Sequence, residues 1–267
     1  MNINIDALYN YPLKSGKGIL LNETLVFKTG FKLDRDFAII NKDKVVLTAR
    51  ENPRILLLNT SFKDSVLQIA IPNKECINVP LNGFKKQDIE VVLFKKKTKA
   101  LIVSKAVNNL LSEFLKEQVC LVCTNPLVLR SVKEEYNGKP GDVISFSDIA
   151  PVHLVNEESV KALNLNLVQP VLRTRFRPNI IVSGISAYAE ENWKYIKIGE
   201  CEFEVIIPTK RCSLITINPK SLEKHVNQEP LRSISKLKPI NKAHFGIYLI
   251  PRKLGKITTL DKIEILE

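Results

Sequence analysis

Glu200-Cys201-Glu202-Phe203-Glu204-Val205-Ile206-Ile207-Pro208-Thr209-Lys210-Arg211-Cys212 is the stretch from which both the fold and the chemistry become readable. Cys201, Phe203 and Val205 alternate with Glu200, Glu202 and Glu204. A period of two puts the apolar side chains on one face of an extended chain and the carboxylates on the other. Pro208 cannot donate to a strand ladder and is expected to stop the strand. That leaves Cys212 in or beside a loop at a strand end, directly behind the cations Lys210 and Arg211.

The same alternation recurs outward from this point. Ile3 and Ile5 sit among Asn2, Asn4 and Asp6, and Ile263 and Ile265 alternate with Lys262 and Glu264. Asp88 to Leu93 and Leu101 to Val103 read as further short strands. Two helices interrupt the pattern. Val107, Leu110, Leu111, Phe114 and Leu115 form one apolar stripe at helical spacing. Asn156 is placed to cap a second helix, with Glu157 and Glu158 at its positive end and Val160 and Leu163 on its buried side. Asn137-Gly138-Lys139-Pro140-Gly141 is a turn. These patterns predict a β-rich α+β chain of two closely packed parts, residues 1–125 and 126–267.

Composition narrows the class. Of 267 residues 45% are hydrophobic, a globular balance rather than a disordered one. No apolar run reaches membrane-spanning length, so no membrane partner is expected. The N-terminus lacks the basic-then-apolar pattern of a secretory signal. Five cysteines, an odd number without framework spacing, suit a reducing cytosol, and a cytoplasmic location is expected. A net charge of +12 attracts anions: nucleic acid, a phosphorylated cofactor or an acidic protein. Nucleic-acid binding rests on that charge alone.

Several residues carry chemistry. The cations before Cys212 favour a thiolate, a soft ligand for a soft or redox metal. Read locally, a buried structural cysteine accounts for Cys212 as well, and that reading leads until the wider pattern is added. Arg173, Arg175 and Arg177 precede Pro178-Asn179. In an extended segment they would point the same way and clamp a phosphate or carboxylate; a solvated strand edge is the plainer alternative. Tyr11-Pro12-Leu13-Lys14-Ser15-Gly16-Lys17-Gly18 has the chemistry of a phosphate-binding loop without its spacing, and a surface turn explains it nearly as well. Cys120 and Cys123 lie on an apolar strand and read as core, as do Cys76 and Cys201. His153, His225 and His244 have no metal-ligand spacing, and His153 reads as a core histidine. Lys95-Lys96-Lys97-Thr98-Lys99 reads as a solvated hairpin end.

Taken in order, these motifs resemble a known family. Tyr-Pro-x-Lys-Ser, then Gly30 to Arg35, then Thr48 to Pro53 resemble the MOSC N-terminal β-barrel domain. Phe176-Arg177-Pro178-Asn179, Trp193, Ile198-Gly199, Arg211-Cys212, Phe245-Gly246 and Gly255 to Asp261 resemble the MOSC domain. The resemblance covers nearly the whole chain and points to the amidoxime-reducing branch of the family. It implies a molybdenum cofactor, a molybdopterin whose metal takes Cys212 as its protein ligand, which reverses the local reading of that residue. It implies that Lys14, Ser15, Arg35, Arg177 and Asn179 bind the pterin and its phosphate, and that Lys210 and Arg211 contact the cofactor. Asp148 matches an acidic position expected to face the substrate and is the candidate for a second catalytic residue.

The implied activity is reduction of a small-molecule N-hydroxylated substrate, with electrons from a separate donor of ferredoxin, flavodoxin or cytochrome type. A cofactor or sulfur carrier without turnover is the alternative, and family members have also been linked to pyridoxal phosphate. Two positions depart from the family pattern: Thr209 stands where many relatives have a second cysteine, and Ile149-Ala150 stand where some have Thr-Ser.

Overall fold

The computed structural model describes residues 3–81, 87–237 and 243–267. Seven strands close into a barrel. Around it run Ile180–Ser183, Val152–Asn156, His244–Lys253, Cys201–Lys210, Tyr195–Ile198, Lys262–Ile265 and Ile3–Asn10, and the last pairs back to the first. The pairing of Val152–Asn156 with Ile180–Ser183 is parallel and needs a crossover, which the helix Glu157–Asn164 supplies. Asn156 caps that helix, its side chain accepting the Glu158 N–H, and Val160 and Leu163 are buried, as the sequence predicts.

The alternating strands fill the barrel as expected. Ile3 and Ile5 are buried while Asn4 and Asp6 are exposed. Cys201 and Phe203 join Ile196, Ile198, Ile247 and Leu249 in one core. Pro208 departs from expectation. The strand continues through it to Lys210, because the register against His244–Lys253 shifts between Pro208 and Lys210. At such a bulge a missing N–H costs no ladder bond.

A second, antiparallel sheet has the order Phe37–Asn41, Val119–Thr124, Lys96–Ile102, Gln87–Leu93. The helix Lys105–Leu115 lies on one face, burying Val107, Leu111, Phe114 and Leu115 against Phe37 and Leu121. Leu110 stays exposed, since it lies at the margin of the stripe where the sheet does not reach. Cys120 and Cys123 face opposite sides of their strand and pack in separate cores, as predicted. Cys76 is exposed in the turn before Ile77–Pro80 and is not a core residue. No helix among the described residues is long and apolar enough to cross a membrane.

The two sheets share the chain unevenly. Ile3–Asn10 closes a barrel built otherwise from residues 152–265, and Glu23–Phe27 pairs with Gly255–Thr258. A fragment 126–267 therefore lacks the closing strand and leaves the edges of Ile180–Ser183 and Lys262–Ile265 unpaired. It is expected to show no cooperative thermal transition by circular dichroism, whereas the full chain melts cooperatively. A fragment that melts in one sharp step would refute this dependence.

Candidate functional site

Where Ile3–Asn10 leaves the barrel, the chain turns under a buried ring. Tyr11 is packed between two guanidinium groups, those of Arg35 and Arg177, each 4.4 Å from its centroid. Both contacts are cation–π in geometry. The Tyr11 amide donates to Asp34 Oδ1 at 2.8 Å, and Arg35 Nη1 donates to Asp34 Oδ2 at 2.5 Å. Gly18 is needed here, because a Cβ at that position would lie 2.6 Å from Tyr11 Cε1. Burial pushes the Tyr11 phenol up to about 12, so the ring stays neutral between its cations.

Arg35 and Arg177 are tied across the chain. Arg35 donates to Asn179 Oδ1 at 3.0 Å and to the Arg177 carbonyl at 2.9 Å. Arg177 Nη1 donates to the Gly16 carbonyl at 2.6 Å, while its Nη2 is buried with no partner. Asn179 is a framework residue: Oδ1 also accepts the His153 N–H at 3.1 Å, and Nδ2 donates to the Tyr9 carbonyl at 3.2 Å. Ser15, Arg35 and Arg177 all have positive φ, at 66°, 50° and 55°. Residues with side chains rarely adopt this conformation, so the surroundings must hold these three in place.

The three arginines of the 173–177 run do not converge. Arg173–Phe176 winds into a 3-10 turn, in which residues two apart point in different directions. Arg173 pairs with Asp6 and Glu157, and Arg175 donates to the Ile215 carbonyl at 3.2 Å. Only Arg177 reaches the cleft.

That cleft is lined by five cations, Lys14, Arg35, Arg50, Arg177 and Arg211, and one carboxylate, Asp148, with Ser15 and Asn179 also on its wall. Lys14 is buried and donates to the Phe146 carbonyl at 2.8 Å and to Asp148 Oδ1 at 2.5 Å. Burial pulls the Lys14 ammonium below its usual range, against the pull of Asp148. Partial loss of water works to raise Asp148, whose side chain is still 49% exposed, but Lys14, with Arg50 and Arg35 further off, holds it down at about 2. Asp148 is therefore ionised near neutrality and carries no proton to give. Burial and the Arg35 charge bring Arg177 down to about 10, still protonated at neutral pH.

Cys212 lies outside this cleft. It lines an adjoining, larger cavity, as does Lys210, and the two spaces share Asp148, Arg211 and Tyr248. Cys212 is half-buried just past the end of its strand, where its carbonyl accepts the Ile215 N–H at 3.3 Å and starts the turn Ser213–Thr216. Arg211 separates the two spaces. Its Nη2 donates to the Phe176 carbonyl at 2.8 Å, Nη1 lies 3.4 Å from His153 Nε2, and Nε is buried without a partner. The Thr209 hydroxyl is also buried without a partner.

Sequence reasoning set His153 aside as a core residue. It is buried, but it faces the cleft and supports Arg211. Burial, with Arg211 and Arg35 nearby, holds its pKa well below the ordinary value. Arginine has only donors, so a hydrogen bond from Arg211 Nη1 to His153 Nε2 requires the tautomer whose proton sits on Nδ1. Gly246 makes room for this ring, with φ of 76° and a Cβ that would lie 2.7 Å from His153 Nε2. Tyr248 and Arg50 were also missed as site residues. Strand pairing brings Tyr248 opposite His153, and nothing local in the sequence signals it. Among the described residues no three His, Cys, Asp or Glu side chains cluster as metal ligands.

Comparison with known proteins agrees in both halves. The MOSC N-terminal beta barrel domain matches residues 2–118 and the MOSC domain residues 141–264. The mitochondrial amidoxime reducing component 2 of Rattus norvegicus is 27% identical over 277 residues, covering 97% of this chain and 82% of that protein. The mitochondrial amidoxime-reducing component 1 of Homo sapiens is 27% identical over 282 residues, covering 98% and 82%. The molybdenum cofactor sulfurase of Danio rerio is 28% identical over 261 residues, covering 91% of this chain and 31% of that protein.

Two outcomes are expected of the charges at this site. Asp34→Ala removes the buried partner of Arg35 and the acceptor of the Tyr11 N–H, and is expected to cost about 3–5 kcal/mol by denaturant unfolding; a loss below about 1 kcal/mol would show that the pair is not structural. Asp148, held low, contributes stability that is complete above the ordinary carboxylate range and is lost as the pH falls through about 2. Carboxyl carbon NMR is expected to show it ionised from pH 4 upward, and a midpoint near 4 would contradict the Lys14 pairing.

Proposed function

The chain belongs to the MOSC-domain proteins, and from that premise we propose that it is a molybdenum-cofactor-dependent reductase of N-hydroxylated compounds. The observation that carries this reading is the cationic cleft opening beside the cavity that Cys212 lines. Arg177 Nη2 and Arg211 Nε are buried donors without partners. Protein interiors rarely leave such groups unmet, and a phosphate oxygen would meet them. A thiol at the junction adds the soft ligand that molybdenum takes. The residues therefore fit a phosphorylated pterin that carries the metal.

In this reading Lys14, Ser15, Arg35 and Arg177 hold the phosphate and pterin, Asn179 fixes Arg35, and Cys212 binds the metal. When bound, the cofactor supplies two-electron reduction, cleaving the N–O bond of the substrate to release the amine or amidine and water. The protein's part is placement and charge. Arg211, braced by neutral His153 and the Phe176 carbonyl, keeps a fixed positive charge beside the Cys212 sulfur. Tyr248, whose phenol burial holds protonated, faces both spaces and offers a hydrogen bond rather than a proton. Asp148 is ionised and anchors Lys14, so this proposal gives it no part in proton donation.

A separate acidic donor of ferredoxin, flavodoxin or cytochrome type would deliver the electrons, its encounter favoured by the net charge of +12. Five free cysteines fit a reducing cytoplasm. The likeness to a molybdenum cofactor sulfurase favours a second reading, a cofactor or sulfur carrier that uses Cys212 without turnover.

The test uses protein purified from cells able to make the pterin. About one molybdenum per chain is expected, with reduction of benzamidoxime by a chemical reductant, and Cys212→Ala is expected to lose the activity, with or without the metal. Bound metal without any reduction would favour the carrier, and native protein free of molybdenum would overturn both readings.

A further inference from the structure

The larger cavity carries a charge pattern that reduction of a neutral amidoxime does not require. Lys96, Lys97, Lys99, Arg130, Lys133 and Lys210 line it, in addition to Arg211. The two carboxylates on its wall are already engaged: Glu90 lies 2.7 Å from Lys97, and Asp148 lies 2.5 Å from Lys14. Lys133 pairs with Glu135 at 2.5 Å. Lys99 and Lys210 make no ion pair among the described residues, and Lys96 makes none within 4 Å, though Glu135 lies near enough to feel its charge. Between these cations the wall is apolar, with Leu93, Phe94, Ile144 and Ile149.

Phe94 is an independent sign. It occupies the tip of the hairpin joining Gln87–Leu93 to Lys96–Ile102, where Phe94 and Lys95 have φ of 52° and 63°. A two-residue turn with both φ values positive ordinarily takes Asn-Gly or Asp-Gly, and a large aromatic there is strained. Phe94 is nevertheless 44% exposed on the cavity wall. Lys14 Nζ lies 4.9 Å and the Arg130 guanidinium 6.0 Å from its centroid. Arg130 is itself fixed by bonds of 3.0 Å and 2.8 Å to the Ser145 and Ser147 carbonyls. A ring kept in a strained turn and bracketed by cations is a built surface.

We infer that this cavity selects N-hydroxylated substrates that bear an anionic oxygen group, carboxylate or phosphate, on a planar ring. The ring lies against Phe94, the anion meets the cationic wall to which both faces of the hairpin strand contribute, through Lys96 on one and Lys99 on the other, and the N–O group points toward Cys212. The inference rests on the reductase reading for the reacting group. Its charge preference rests on the cavity alone. A concave space with an apolar wall fits a small molecule, whereas a protein partner would meet only its rim.

The experiment compares benzamidoxime with 4-carboxybenzamidoxime, which differ by one carboxylate. Calorimetry on the metal-loaded protein at low salt is expected to show about tenfold tighter binding of the carboxylate, shrinking as salt rises. The double substitution Lys96→Glu, Lys99→Glu is expected to abolish that ratio, and Lys96→Gln, Lys99→Gln to reduce it. Phe94→Ala is expected to weaken both ligands while keeping the ratio. Equal binding by the unaltered protein, or a ratio that survives charge reversal, overturns the inference. Turnover of the same pair with a chemical reductant separates the two proposals. Selective binding with neither compound reduced removes the reductase and leaves the selectivity standing, and reduction of both with equal kcat/KM and equal affinity does the opposite.

Discussion

Two like charges held against one buried ring set the terms for everything around them. Arg35 and Arg177 flank Tyr11, and each lowers the comfort of the other in a space with little water. Asp34 hydrogen-bonds only one of them, Arg35, and also accepts the Tyr11 amide, while its charge favours both. Arg177 has the Gly16 carbonyl on one nitrogen and nothing on another. Such an arrangement is stable only if the backbone is held from several directions, and it is. Asn179 bonds Arg35, His153 and Tyr9, and Arg35 bonds the Arg177 carbonyl, so the positive φ angles at Arg35 and Arg177 lie inside one hydrogen-bonded network.

The site is therefore a property of the seam between the first and last parts of the chain. Arg35 and Asn179 are 144 residues apart, and Lys14 and Asp148 are 134 apart. The strand Ile3–Asn10 carries this seam, since it ends one residue before Tyr11 and also closes the barrel from which His153, Arg211 and Tyr248 project. Folding of the barrel and assembly of the cationic cleft are thus one event. Loops are ordinarily the least stable parts of a fold, but here the turns that carry Lys14, Arg35 and Arg177 are tied across the chain by hydrogen bonds.

What could be read in the sequence follows from this division. Period-two alternation is local, so Ile3–Asn10, Cys201–Lys210 and Lys262–Ile265 were legible, as was the Asn156 cap. Lys14, Arg35, Arg177 and Cys212 were singled out because their motifs occur in a family order, and the structure brings the first three to one cleft and the fourth to the cavity beside it. The misreadings come from contacts that no local pattern encodes. Pro208 stays in its strand because a bulge on the partner accommodates it. Arg173 and Arg175 point away because the segment before Pro178 coils instead of extending. His153 looked like core because it is buried, and only the opposing guanidinium of Arg211 gives that burial a purpose. Phe94 gave no signal, because its position matters through a turn geometry that the sequence disguises.

Arg211 shows why two adjoining spaces can do different jobs. A guanidinium between two anion-attracting cavities would draw ligands to either side if it were free to swing. It is not free, since the Phe176 carbonyl and the His153 ring hold one edge and leave Nε directed inward. Burial keeps His153 neutral, so the pair adds one charge rather than two. A charged imidazole there would repel Arg211 and loosen the wall. The same low-dielectric surroundings that make the histidine a good acceptor also strengthen the field of Arg211 on whatever lies beside Cys212. On the proposed reading, the fixed charge on the cleft side would hold the cofactor, and the lysines on the hairpin side would meet the substrate.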